Sequence, residues 1–195
     1  MPPRPASRIP TVSPVNPKRS SSRPDAEVVL TRATGADWPG IWPIWHEIVT
    51  AGETIAYDPA ADSETSKRSW FSGSDEVWVA RAGGATDVLG TYELGPNRPG
   101  AGSHVATATY LVSSGARGRG VGRAMVRHCL DRAAGAGYRG IQFNAVVATN
   151  VYAVALYEDL GFSVTGRIPG GFRHPEHGFV DLLIMYCDLI GYRDL

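Results

Sequence analysis

The chain alternates two apolar rhythms after a start that has neither. A β-branched run at Glu27–Thr31 predicts a first strand. Asp37 precedes Trp38, Ile41, Trp42, Ile44, Trp45 and Ile48, whose steps of three and four predict a helix capped by that aspartate. Pro39 and Pro43 limit its regularity. Thr50–Pro59 reads as a loop and Asp62–Phe71 as a short second helix. Glu76–Arg81 and Val88–Leu94 read as strands around a Gly83-Gly84 turn, and a fourth strand follows at about Val105–Ser113. Val121, Met125, Cys129 and Ala133 then recur every fourth residue, the core stripe of a helix, with Arg123, Arg127 and Asp131 on another face. Ile141, Phe143, Ala145 and Val147 alternate with Gln142 and Asn144, a strand of period two. A helix from about Asn150 to Leu160 stops at Gly161, and Phe162–Gly166 with Phe179–Leu189 closes the sheet as a late pair. This order predicts an α/β (α+β) domain around one mixed sheet.

The rhythm is missing from residues 1–25, where Pro, Ser and Arg dominate and apolar residues are few. Such a stretch cannot bury enough surface to offset its ordering entropy, so it reads as a disordered tail before a domain at 26–195. A basic tethering arm and an extension from an upstream start codon are the other readings. The 195 residues are 43% apolar with a formal net charge of zero, which suits one domain and gives no sign of a nucleic-acid partner. Cys129 and Cys187 lie in apolar periodic segments and read as free core thiols in a reducing compartment. No apolar run approaches the ~20 residues of a membrane span, and the start lacks a signal peptide's apolar stretch. A soluble cytoplasmic protein is the expectation.

Candidate chemistry concentrates at Arg117-Gly118-Arg119-Gly120-Val121-Gly122-Arg123, between the fourth strand and the following helix. A strand that turns through glycines into a helix leaves first-turn N–H groups unpaired, where the positive end of the helix dipole favours an anion. The arginines can fork onto phosphate oxygens. A glycine turn with solvated arginines is the plainer reading. A P-loop would need a lysine here, and a dinucleotide fingerprint would have Gly-x-Gly-x-x-Gly near the chain start. Arginine-glycine segments that bind RNA are long and disordered, whereas this one opens a helix.

Val112-Ser-Ser-Gly-Ala-Arg117-Gly-Arg-Gly120-Val-Gly122 resembles the acyl-CoA-binding motif of the GCN5-related N-acetyltransferases, the GNAT superfamily. Asn150-Val-Tyr-Ala153-Val-Ala-Leu156-Tyr157-Glu-Asp-Leu-Gly161-Phe162 resembles that superfamily's second signature, and the likeness runs from about Glu27 to Leu189. The resemblance implies a splayed sheet of about seven strands flanked by about four helices, opened between its fourth and fifth strands. It implies acetyl-CoA as cosubstrate. The main chain of Leu111, Val112 and Ser113 would pair with the pantetheine amides, and the pyrophosphate would lie over Arg117, Gly118, Arg119, Gly120, Val121 and Gly122, within reach of Arg123. Asn150 and Tyr157 share a helix face about 10 Å apart along the axis, which suits an amide near the pantetheine arm and a phenol near the sulfur. The resemblance makes Tyr157 the general acid for the departing thiolate; an interior aromatic beside Leu156 and Leu160 is the alternative.

The general base is not evident. Many relatives place a glutamate on the fourth strand, whereas Val105–Val112 has no carboxylate. His104, Glu93, Asp181 and a water chain are the candidates. His174 and His177, on the loop between the last strands, lack a third partner for a metal, so no metal is expected. Asn97–Ala108, with Phe143-Asn144 and Thr149-Asn150, resembles the branch containing the fungal proline-analogue acetyltransferases. There an asparagine commonly stands where this chain has Thr107, and Asn144 matches a second polar substrate position. Gly52–Pro59 resembles the acceptor loop of phosphinothricin-type acetyltransferases. Thr107, Asn144 and His104 are therefore the candidate substrate contacts, and a small amino-acid-like amine is the expected acceptor. A protein or peptide N-acetyltransferase and a non-catalytic acyl-CoA sensor are the rival readings. The oligomeric state is open, with a homodimer the form common among relatives.

Overall fold

The computed structural model describes residues 27–190, so the 1–25 tail lies outside the described residues. The order is β1 (Val28–Arg32), α1 (Trp38–Ala51), α2 (Ser63–Ser72), β2 (Glu76–Ala82), β3 (Val88–Pro96) and β4 (Val105–Val112). It continues with α3 (Val121–Gly135), β5 (Gly140–Val147), α4 (Val151–Asp159), β6 (Ser163–His174) and β7 (Gly178–Asp188). The strands form one seven-stranded sheet in the order β1-β2-β3-β4-β5-β7-β6. All neighbours are antiparallel except β4 and β5.

The period-two strands separate two cores. Trp38, Ile41, Ile44, Trp45, Ile48 and Val49 of α1 pack with Trp70 of α2 on Val77, Val79 and Leu111. On the other face Val121, Met125, Val126, Cys129 and Leu130 of α3 cover Tyr92, Leu94, Ala106 and Ile141. Both cysteines are buried and free. Burial of these side chains, at roughly 25 cal/mol per Å² of apolar surface, is what holds helices to sheet.

Two elements differ from the sequence expectation. Helix α1 runs unbroken through Pro43 because Pro39 and Pro43 both lie on its exposed side, where water can satisfy the carbonyl that loses its partner. Strand β6 continues to His174 instead of ending near Gly166. Its ladder with β7 shifts between Ile168 and Phe172, a bulge that absorbs Pro169, Gly170 and Gly171 on the outermost strand. Gly170 takes φ 59°, and its N–H donates to Asp181 Oδ1.

At Gly90 the Met125 side chain of α3 packs directly on the backbone of β3: a Cβ there would lie 2.9 Å from Leu111 O and 3.0 Å from Met125 Cε. Gly90→Ala is expected to cost about 1–3 kcal/mol of stability, read from the shift in urea midpoint.

Candidate active site

Strands β4 and β5 are joined only at Val105–Gly140 and Ala106–Ile141, and then they part. β4 stays paired with β3 along its whole length and β5 with β7, so the opening lies within one continuous sheet. Ser113 N–H donates to Leu89 O and Asn97 N–H to Val105 O, so the odd-numbered residues of β4 turn their main chain to β3. The even ones, Ala108, Tyr110 and Val112, therefore face the opening with unpaired amide groups. Of the expected trio Leu111, Val112 and Ser113, only Val112 does so. Leu111 and Ser113 are committed to the ladder, and Tyr110 takes the place expected of them.

Helix α3 begins at the wide end. Gly118 and Gly120 adopt φ of 73° and 76°, the left-handed region that favours glycine. Ala124 N–H closes the first helical bond onto Gly120 O. Among the described residues the N–H groups of Gly118, Gly120, Val121, Gly122 and Arg123 have no protein acceptor. Gly122 is helical, and a Cβ on it would lie 3.6 Å from Leu156 of α4 and 3.8 Å from Val112 of β4. It would stand in the mouth of the opening. A cradle of unpaired amides with glycine at its entrance fits the diphosphate of acetyl-CoA, and the free edge of β4 fits its pantetheine amides. Arg117 and Arg119 are exposed and make no ion pair among the described residues. Arg123, expected to reach phosphate, is instead paired with Asp159 at 2.5 Å, tying α3 to α4.

Helix α4 covers the opening on this face. The Tyr157 ring lies 4.7 Å from Phe143 of β5 and 6.2 Å from Tyr110 of β4, beneath the point where the strands separate. Burial, and then the nearby Cys129 thiol, push the Tyr157 phenol well above its ordinary value, so it keeps its proton throughout neutral pH. Burial likewise raises Cys129 to about 12, leaving an inert neutral thiol. Asn150 is the N-cap of α4, and its Oδ1 accepts from Ala153 N–H at 3.3 Å. One half of the amide expected to meet pantetheine is therefore used by its own helix.

The opposite face carries Thr107, Thr109 and Leu111 of β4, and Leu111 belongs to the α1 core. Asn144 is exposed on β5, where the ladder to β7 shifts between Phe143 and Val146. Its Nδ2 donates to Asn97 Oδ1 at 2.6 Å, and its Oδ1 accepts from Gln142 Nε2 at 2.8 Å. Glu93 of β3 pairs with Thr109 in register, and its carboxylate accepts from Tyr57 and Ser74. The other candidate bases are placed less well. His104 precedes β4 on the joined side of the opening, its carbonyl bonded to Arg139 N–H and its Nδ1 3.1 Å from Ala101 O. Asp181 is held by Arg167 at 2.7 Å and by Gly170 N–H. His174, read as a loop residue, ends β6 buried, with its Nδ1 accepting from the N–H groups of Glu176 and His177.

The structure thus gathers Val112, Gly118 to Arg123, Asn150 and Tyr157 around one opening, with Thr107 and Asn144 on its far side. Tyr110, Asn97, Gln142, Tyr57 and Ser74 were not picked out in the sequence as site residues. Period-two parity, anchored on one ladder bond, finds Tyr110 and also sets Gln142 beside Asn144 on β5; Asn97, Tyr57 and Ser74 come from separate connections that only folding brings in.

A family model described as "Acetyltransferase (GNAT) family" matches residues 41–162. The structure resembles that of a GCN5-related N-acetyltransferase from Kribbella flavida, with a TM-score of 0.80 and 47% identity over 85% of this chain and 99% of that one. The chain is 37% identical over 100 residues to N-acetyltransferase aca1 of Schizosaccharomyces pombe, covering 51% of this chain and 48% of that protein. It is 33% identical over 97 residues to Protein SPT10 of Saccharomyces cerevisiae, covering 47% of this chain and 15% of that protein. The match therefore spans less than half the length of either curated relative.

Two variants separate the cradle from the fold. Gly122→Val fills the mouth without left-handed strain, so acetyl-CoA affinity is expected to fall by more than about tenfold in calorimetry while the protein stays folded. Gly120→Val carries a conformational cost of about 1–2 kcal/mol as well. For Asn150, alanine is expected to cost about 1 kcal/mol of stability and aspartate to restore it in thermal melts, as the cap requires.

Proposed function

This chain belongs to the GNAT acetyltransferase family, and on that premise we propose that it moves an acetyl group from acetyl-CoA to the amine of a small, amino-acid-like acceptor. The observation that carries this reading is the parting of β4 and β5, with unpaired amides at its mouth, a protonated phenol beneath it and a polar face behind it.

Acetyl-CoA supplies an activated thioester when bound. The N–H groups of Gly118, Gly120, Val121 and Gly122 hold its diphosphate, and the exposed Arg117 and Arg119 add positive charge to that end. The main chain of Tyr110 and Val112 aligns the pantetheine arm as an added strand would. The free Nδ2 of Asn150 remains available to the same arm while Oδ1 caps α4. The Tyr157 hydroxyl lies beneath the parting strands, where it donates its proton to the sulfur as the carbon–sulfur bond breaks. The phenol is fully protonated at neutral pH, as a proton donor must be.

The acceptor face favours a small polar amine. Thr107 offers a hydroxyl where a carboxylate would repel an acceptor's own carboxyl group, and Asn144, oriented by Asn97 and Gln142, offers an amide. The two free thiols accord with work in the reducing cytoplasm. Exposed Val164 and Ile168 on the outer strand β6 offer an apolar surface for a homodimer.

A thiol-release assay over free amino acids, polyamines and short peptides tests the reading. Turnover is expected with one or more free amino acids. Turnover with peptides alone would make it a peptide acetyltransferase, and tight acetyl-CoA binding without turnover would make it a sensor. Tyr157→Phe is expected to lower kcat by about 10²-fold or more while the acetyl-CoA Kd changes by less than about threefold.

A further inference from the structure

The strands β3 and β4 carry one carboxylate between them, Glu93, and its surroundings differ from those of the paired acids in the domain. Asp37, Glu76, Asp159 and Asp181 each have an arginine partner. Glu93 is half-buried and has no cationic partner among the described residues. Its Oε1 accepts from Tyr57 Oη at 3.3 Å and its Oε2 from Ser74 Oγ at 2.5 Å. The Tyr57 ring is stacked on Trp45, 5.8 Å between centroids and 20° between planes, which holds the hydroxyl in place. Burial, and then the Glu93 charge, push the Tyr57 phenol up to about 12, so it keeps the proton that it donates to Glu93 at neutral pH.

A carboxylate presents about four lone-pair directions. Two hydroxyls occupy one on each oxygen, and the rest are left for a further donor. The groups that face Glu93 from the neighbouring elements are Tyr57, Ser74, Thr109 of β4 and Val77 of β2. Asp75, next to Ser74, instead accepts from Tyr138. Tyr57 is thus the titratable group that faces it. A fixed, partly buried negative charge with neutral donors and no counter-ion is a receptor for a cation. Glu93 and Thr109 form a directly opposed pair, so their side chains share the face on which Thr107 also lies.

We propose that Glu93, held by Tyr57 and Ser74, receives the acceptor as its ammonium ion and removes the proton that blocks attack. This rests on the transferase reading above and assigns to β3 a task for which β4, with Thr107 and Thr109, has no residue. An ammonium nitrogen has no lone pair to donate. One N–H proton passes to the Glu93 carboxylate and then to solvent, leaving a neutral amine. As the carbon–nitrogen bond forms and the carbon–sulfur bond breaks, the thiolate takes the Tyr157 proton. The second amine proton is released, restoring the phenol. The products are an amide, a free thiol and one proton in solution. The acceptor class is an amine that is cationic at the reacting nitrogen, not an alcohol or an amide.

Glu93→Gln keeps the size of the side chain and an acceptor for the hydroxyls. In the full chain, acetyl-CoA affinity is expected to stay within about twofold, while kcat/KM for the best free amine falls by about 10²-fold at pH 7. That loss shrinks as pH rises towards the amine's own pKa, because solution then supplies the neutral amine. Glu93→Asp is expected to restore part of the activity, which a merely structural role would not predict. Equilibrium binding of L-alanine, L-proline, L-lysine and spermidine to the CoA-bound protein is compared in wild type and E93Q. Equal amine affinities, or a turnover loss that is the same at every pH, overturn the Glu93 assignment. No wild-type turnover with any amine, despite weaker amine binding in E93Q, overturns the transferase reading and leaves the ammonium site standing.

Discussion

The parting of β4 from β5 after two residue pairs is the constraint on which the rest of the structure depends. Tyr110 of β4 and Phe143 of β5 meet edge to face at 5.8 Å, and the Tyr157 ring packs against both. These three rings pack together on the α3 face of the sheet, over the parted strands. The sheet remains intact because each strand keeps its other partner. One edge of β4 is thereby freed at the centre of the molecule without creating an outer edge, and α3 starts at its wide end. Covalent continuity from β4 through Arg117–Gly120 into α3 places free strand amides and free helix amides side by side.

Electrostatics divide the two sides of that opening. At the mouth, backbone dipoles and the exposed Arg117 and Arg119 favour polyanion. Arg123 does not add to this field, because Asp159 neutralises it across the α3–α4 contact. On the far side, Glu93 leaves negative charge beside neutral hydroxyls and amides. On the proposed reading, a polyanionic cosubstrate and a cationic acceptor are drawn to opposite faces of one sheet, and transfer takes place where the strands no longer separate those faces.

Most of the architecture was legible in the chain because apolar period reports burial directly. The stripe Val121, Met125, Cys129 and Ala133 lies on the sheet as its spacing requires, and every strand except β6 falls within a few residues of its expected limits. The glycine turn was legible too, since left-handed φ at Gly118 and Gly120 is a local property. Strand β6 was cut short because Pro169-Gly170-Gly171 carries loop chemistry, and only the partner strand shows that it is a bulge. His174 was read as a loop side chain for the same reason. The distance of Asn150 from Tyr157 points to a cofactor contact, while the nearest partner of its side chain is the Ala153 N–H in the first turn of its own helix.

What the sequence determined by itself was the set of elements, their apolar faces and the phosphate-type turn, all governed by interactions within a few residues. What only the tertiary structure decided was which way each β4 amide points, which arginine is already spent, and which carboxylate lacks a counter-ion. Those properties depend on partners far away in the chain: Leu89 for Ser113, Asp159 for Arg123, Tyr57 for Glu93. Hydrogen bonds and ion pairs act over a few ångströms of space, and sequence distance does not record which groups come that close.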